Sequence, residues 1–136
     1  MQKVTGLGGI FLKCRDRDKT REWYQTHLGI NMDEWGAQLN WSEDPHQTPY
    51  SILGFFRRST DYFDPSEQPF MINLRVADLD ALVAELQAAG VTLVGGPLAE
   101  EYGKFAWILD PNGIKLELWE PTQNFSELCS VLQASE

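Results

Sequence analysis

The chain has 136 residues, 43% apolar and 23% charged, and 20 acidic against 11 basic side chains give a formal charge of −9. That length supports one domain with its own core and is too short for two stable ones, and the composition excludes a disordered or fibrous chain. The acidic balance repels a polyanion, which excludes nucleic acid as a partner. No stretch reaches the roughly 18 apolar residues of a membrane span, and the opening MQKVTGLGGIF has no signal-peptide apolar core followed by a cleavage site. A cytoplasmic protein with no membrane partner is expected.

From the N-terminus, residues 8–14 (GGIFLKC) read as a strand, and Asp16 opens an amphipathic helix through Trp23, Tyr24 and Leu28 that stops at Gly29. Strand-like pieces follow at residues 30–32, 37–41 and 51–56, the last two separated by the loop 42–49. Residues 57–69, with their Asp, Ser and Pro and also Tyr62 and Phe63, form a connector. Residues 70–76 (FMINLRV) start the pattern again: a strand, then Asp78, then a helix with Leu79, Leu82, Val83 and Leu86 on one face, then a stop at Gly90. Asp16 to Gly29 spans 13 residues and Asp78 to Gly90 spans 12, so the chain contains an internal repeat. Further strands are expected at residues 91–94, 105–109 and 114–119. Asp110-Pro111-Asn112-Gly113 joins the last two as a type I turn with Gly113 in the left-handed position and a one-residue bulge. Residues 125–132 suit a short helix in the tail.

Two strand-Asp-helix-Gly units, the stretch WYQTHLG at residues 23–29 and the closing DPNGIKLEL at residues 110–118 together resemble the vicinal oxygen chelate superfamily, the glyoxalase, bleomycin-resistance and extradiol-dioxygenase group. The resemblance implies an α+β fold in which two tandem β-α-β-β-β modules form a curved mixed sheet around a cavity, commonly in a homodimer. It places a single domain at residues 1–121, with module one at about 5–56, a linker at 57–69 and module two at 70–121. Residues 122–136 form a C-terminal tail. No reaction follows from it, because the superfamily holds lyases, epimerases, dioxygenases, thiol transferases and drug-binding proteins without catalysis.

Strand alternation sorts the side chains independently of any family. Ile10, Leu12 and Cys14, and later Ile72, Leu74 and Val76, form faces that pack on helices. With the bulged turn after Asp110, Trp107 lies opposite Glu117 and Phe105 opposite Trp119. The other face then carries Phe11, Lys13, Met71, Asn73, Arg75, Phe105, Trp107, Glu117 and Trp119. An aromatic face with a few polar groups suits a small-molecule pocket, and a closed core would not need Lys13, Asn73, Arg75 and Glu117 together. Glu117 is either a ligand-meeting group or half of a buried ion pair with Lys13 or Arg75. Trp41 is expected to wall the pocket, and Tyr102 is a rim residue or a plain loop tyrosine. His46 falls in a Pro-rich loop and reads as solvated, His27 suits a helix end, and Cys14 and Cys129 read as buried free thiols.

In metal-dependent members of the resembled superfamily, ligands come from the opening and closing strands of both modules. Aligned on Asp16 and Asp78, the opening positions are Gly9 and Met71, neither of which offers a hard donor, and residues 51–56 contain no His, Asp or Glu. Glu117 alone matches, and one carboxylate does not build a divalent-metal site. No metal and no other cofactor is expected. Three functions remain: a protein that binds a small aromatic or cationic compound without metal; a metal-independent lyase or isomerase with Glu117 as general acid or base and Lys13 or Arg75 stabilising developing negative charge; and a dimerisation module with a vestigial pocket.

Overall fold

The computed structural model describes residues 9–45 and 50–121; the expected tail helix, His46 and Cys129 lie outside them. Both helices form where the Asp-to-Gly spacing places them. Helix α1 covers Arg17–Leu28, and Asp16 caps it by accepting from the Lys19 amide, while Gly29 ends it at φ 66°. Helix α2 covers Leu79–Ala88, with Asp78 accepting from the Ala81 amide. Each cap satisfies an amide that the first helical turn leaves without a partner. At α2 the Glu120 carboxylate also accepts from the Leu79 amide at 2.9 Å, which ties the helix start to the far end of the sheet.

Four strands, β1 (Ile72–Arg75), β2 (Leu93–Glu100), β3 (Gly103–Leu109) and β4 (Lys115–Pro121), make one mixed sheet in the order β1-β4-β3-β2. The β3–β4 register pairs Trp107 with Glu117 and Phe105 with Trp119, as the turn chemistry requires. Gly113 adopts φ 75° there, a conformation that costs a residue with a Cβ about 1–2 kcal/mol, and the turn closes through Gly113 N–H to Asp110 carbonyl (3.1 Å) and Asp110 N–H to Ile114 carbonyl (2.9 Å). Strand β1 joins β4 in parallel, pairing Asn73 with Glu117 and Arg75 with Trp119. Strand β2 begins at Leu93 and runs to Glu100, well beyond the expected 91–94, with register shifts on either side of Gly95.

The core lies between this sheet and the helices. Leu79, Leu86, Ile108, Leu116 and Leu118 are completely or almost completely buried, and Tyr24 from α1 joins them. Tyr24 also anchors α1 to the β3–β4 turn: its hydroxyl donates to Asp110 Oδ2 at 2.8 Å. Asp110 Oδ1 accepts from the Asn112 (2.8 Å) and Ile114 (2.9 Å) amides. Burial, and then the charge of Asp110 and the hydrogen bond to it, push the Tyr24 phenol far above its ordinary value.

The first half corrects several expectations. Residues 9–16, 30–40 and 50–56 join no sheet ladder among the described residues, and Trp41–Glu43 forms a single 3-10 turn instead of ending a strand. Leu12 packs against the core as its alternation requires, but Ile10, expected beside it, is exposed. Alternation identifies a face; it does not supply the neighbouring strand that hydrogen-bonds the backbone.

Candidate functional site

Strand β4 presents Lys115, Glu117 and Trp119 at alternate positions, and these face Asn73 and Arg75 on β1 and Phe105 and Trp107 on β3. At the centre is Glu117, only 9% exposed. Its Oε1 accepts from Asn73 Nδ2 (2.7 Å), and its Oε2 accepts from Trp107 Nε1 (2.8 Å) and from the Tyr62 hydroxyl (2.7 Å). Three directed donors stabilise a buried carboxylate that has no cationic partner within ion-pair reach among the described residues, where an unpaired one would cost several kcal/mol. Of the two readings of Glu117, the ion pair with Lys13 or Arg75 does not form. Arg75 instead binds Asp44 Oδ2 (2.9 Å) and the Tyr50 carbonyl (3.1 Å), joining the 3-10 turn region to β1.

Around Glu117 the rings of Phe105, Trp107 and Trp119 form a row. Phe105 lies 6.2 Å from Trp107 and 6.4 Å from Trp119, with planes within 13° and 6° of parallel. Gly95, opposite Trp107 on β2, makes room for the indole: a Cβ there would lie 2.9 Å from Trp107 Cε3. Trp119 is fixed by its Nε1, which donates to the Tyr102 carbonyl at 3.0 Å, so Tyr102 contributes its backbone in the β2–β3 turn. Met71 precedes β1 and is half-buried.

Two residues complete this face that the sequence reading did not select. Lys115 is buried, its Nζ donates to the Tyr62 carbonyl at 2.6 Å, and it stands 5.3 Å and 5.8 Å from the Tyr62 and Trp107 ring centroids. Tyr62, in the connector, meets Trp107 edge-on at 6.1 Å and stacks with Phe56 at 5.4 Å. Burial, and then the hydrogen bond to Glu117 and its charge, push the Tyr62 phenol well above its ordinary value. Lys115 was visible in principle, two residues before Glu117 on the same strand. Tyr62 carried no periodic signal.

Phe11 and Lys13 do not join this group. They border a separate cleft of about 560 Å³ with Gln68, Phe70 and Asn112, and no hydrogen bond or ion pair links Lys13 to Glu117. Phe11 is 95% exposed, and Trp41 is likewise open to solvent. Cys14 is a free thiol, half-buried.

The side chains at the positions the resemblance aligns with metal ligands supply few donors among the described residues. Glu117 already holds three organic donors, Met71 and Gly9 offer none, and no cluster of three or more His, Cys, Asp or Glu side chains occurs among the described residues.

A mixed sheet closed by a Asp-Pro-Asn-Gly hairpin, with a helix after each opening segment and a glutamate on the closing strand, defines an α+β protein of the vicinal oxygen chelate type. The family model described as glyoxalase-like domain matches residues 9–119, and the chain belongs to that family. No curated protein matches it. Among solved structures, TnmS3, an antibiotic binding protein from Streptomyces sp. CB03234, is 20% identical over 90% of this chain and 100% of its own, with a TM-score of 0.55. FosX, a genomically encoded fosfomycin resistance protein from Listeria monocytogenes, is 15% identical over 92% of this chain and 98% of its own, with a TM-score of 0.56. A glyoxalase/bleomycin resistance protein from the same Streptomyces is 37% identical, but over 36% of this chain and 42% of that one, with a TM-score of 0.34, too small an overlap to speak for the fold. No described helix is long and apolar enough to cross a membrane.

Proposed function

We propose that this protein binds a small aromatic compound, without metal, on the sheet face around Glu117. The observation that carries this reading is the junction of a hydrogen-bonded carboxylate with a row of near-parallel aromatic rings, which combines apolar contact area with a fixed acceptor. An aromatic ligand suits the face better than a purely cationic one, because the Lys115 ammonium already stands against the Tyr62 and Trp107 rings. Binding is favoured over acid–base turnover. A general base takes the substrate proton onto its own oxygen, and the Asn73 and Trp107 donors keep both Glu117 oxygens in hydrogen bonds even where a ligand replaces the Tyr62 phenol.

The functional unit in this reading is a homodimer. Phe11, Trp35, Trp41, Ile52, Leu53 and Phe55 are all exposed, and β1 and β2 are edges of the sheet; a second copy covers such apolar area and such edges. Sedimentation of a monomer at high protein concentration would reject the dimer.

Native mass spectrometry of the purified protein tests the binding function. The expected result is an aromatic compound retained at one per chain, held at least tenfold more weakly by Trp107→Ala and within twofold of normal by Lys13→Ala. Equal retention by Trp107→Ala rejects the site. Elemental analysis of untagged protein should find metal well below one per chain; stoichiometric metal rejects the metal-free reading.

A further inference from the structure

We infer that Tyr62 occupies, with its own phenol, a subsite for a hydroxylated aromatic ring, so that the ligand is a phenol-type compound that displaces the tyrosine to bind. The inference rests on the proposed site and deepens it.

The environment of Tyr62 has every contact that recognition of a free phenol would use. Its hydroxyl donates to Glu117 Oε2 at 2.7 Å, an acceptor that a methyl ether or bare ring cannot use. Its ring meets Trp107 edge-on and lies against the Lys115 ammonium, at 6.1 Å and 5.3 Å between the relevant centres. Tyr62 belongs to the connector and not to the sheet, and it is 38% exposed, so the surface it covers is not the packed core. The core closes on the opposite face, where Ile108, Leu116 and Leu118 are completely buried. The phenol therefore adds to a surface that the sheet forms without it. Because the tyrosine is tethered, it competes at the high effective concentration of an intramolecular group, and a free ligand must exceed that competition through additional contacts along the Phe105–Trp119 row.

The test replaces the side chain and returns it as a free molecule. Tyr62→Ala is titrated with p-cresol, which has the tyrosine side-chain structure, and with 4-methylanisole, in which the hydroxyl hydrogen is replaced by a methyl group. The Trp107 indole N–H resonance reports binding. Saturable p-cresol binding at least tenfold tighter than that of 4-methylanisole is expected, with the preference reduced roughly threefold or more by Glu117→Gln in the same background, because the neutral amide oxygen is a weaker acceptor than the carboxylate. Equal binding of the two, or none, by a folded variant overturns the inference.

Should Tyr62→Ala not fold, the unaltered protein carries the test, with 2-naphthol and 2-methoxynaphthalene as probes. 2-Naphthol alone should shift the Trp107 resonance and speed tryptic cleavage after Arg57 or Arg58 as the connector lifts. A Trp107 shift without faster cleavage, or no shift, overturns the inference. A natural ligand that perturbs Trp107 while the phenol tests fail rejects the phenol subsite alone. Perturbation confined to the Lys13 cleft rejects the wider binding reading.

Discussion

The two halves of this chain share one order of elements and reach different ends. Residues 70–121 close a four-stranded sheet over a buried core, whereas residues 9–56 supply helix α1 to that core and leave their own strand-like segments out of any ladder among the described residues. The helices formed in both halves because their signals are local: an Asp cap, an apolar stripe and a terminal Gly. A sheet needs a partner strand in register, and the second half obtains one from a four-residue turn whose Asp110 accepts two turn amides. Among its described residues the first half shows no equivalent of that turn. A longer loop with two prolines separates its last two apolar segments.

Truncation of the core should separate the halves most sharply. Leu118→Ala removes a fully buried side chain from the sheet and should cost about 3 kcal/mol. Leu53→Ala, in the exposed segment of the first half, should stay within about 0.5 kcal/mol when the chain is monomeric. Urea denaturation measures both, and equal losses would show that the first half is packed after all.

Next comes the junction between the halves. Asp110→Ala leaves the Tyr24 hydroxyl and two turn amides without their acceptor and should cost about 2–3 kcal/mol. A loss no larger than that of an ordinary surface substitution would mean that α1 docks without this contact.

A smaller effect concerns alkaline pH. Tyr24 and Tyr62 both have phenols pushed above the ordinary value, chiefly by burial. Because each ionises at higher pH in the folded chain than in the unfolded one, its stabilisation is complete below the unfolded value of about 10 and is lost as pH rises above that toward the folded values. Thermal melts at increasing pH should show this decline, and Tyr24→Phe should flatten it more than Tyr62→Phe, whose side chain is the more exposed. An unchanged decline in both variants would assign it to other groups.

The smallest effect is expected at the exposed Lys104–Asp80 pair: Lys104→Ala should leave the melting temperature unchanged, since solvent screens such pairs.

Much of this was legible in the sequence where the determinant was local. Asp110-Pro111-Asn112-Gly113 sets the hairpin register, and from it the opposition of Trp107 to Glu117 and Phe105 to Trp119 follows by counting. Asn73 and Arg75 followed from alternation along β1. Lys13 and Phe11 were placed on the same face by the same rule, but the rule assumes that their segment lies in the sheet, and that segment pairs with no strand among the described residues. The Glu117 partners also escaped in part. The ion-pair reading of Glu117 looked to Lys13 or Arg75, while the molecule uses an amide, an indole and a phenol. Tyr62 reaches Glu117 across 55 residues of sequence, and Gly95 matters because an indole needs the space above it. Neither has a periodicity from which it could be read.

The central claim is that an aromatic ligand binds at the second half's sheet face and not at the first half's cleft. The most direct measurement is a two-dimensional NMR titration of the indole N–H resonances with the aromatic compound retained by the purified protein. The account predicts saturable shifts of the Trp107 and Trp119 signals, with the Asn73 side-chain amide following. Shifts absent from both indoles, with changes confined to the backbone around Lys13 and Asn112, would contradict it.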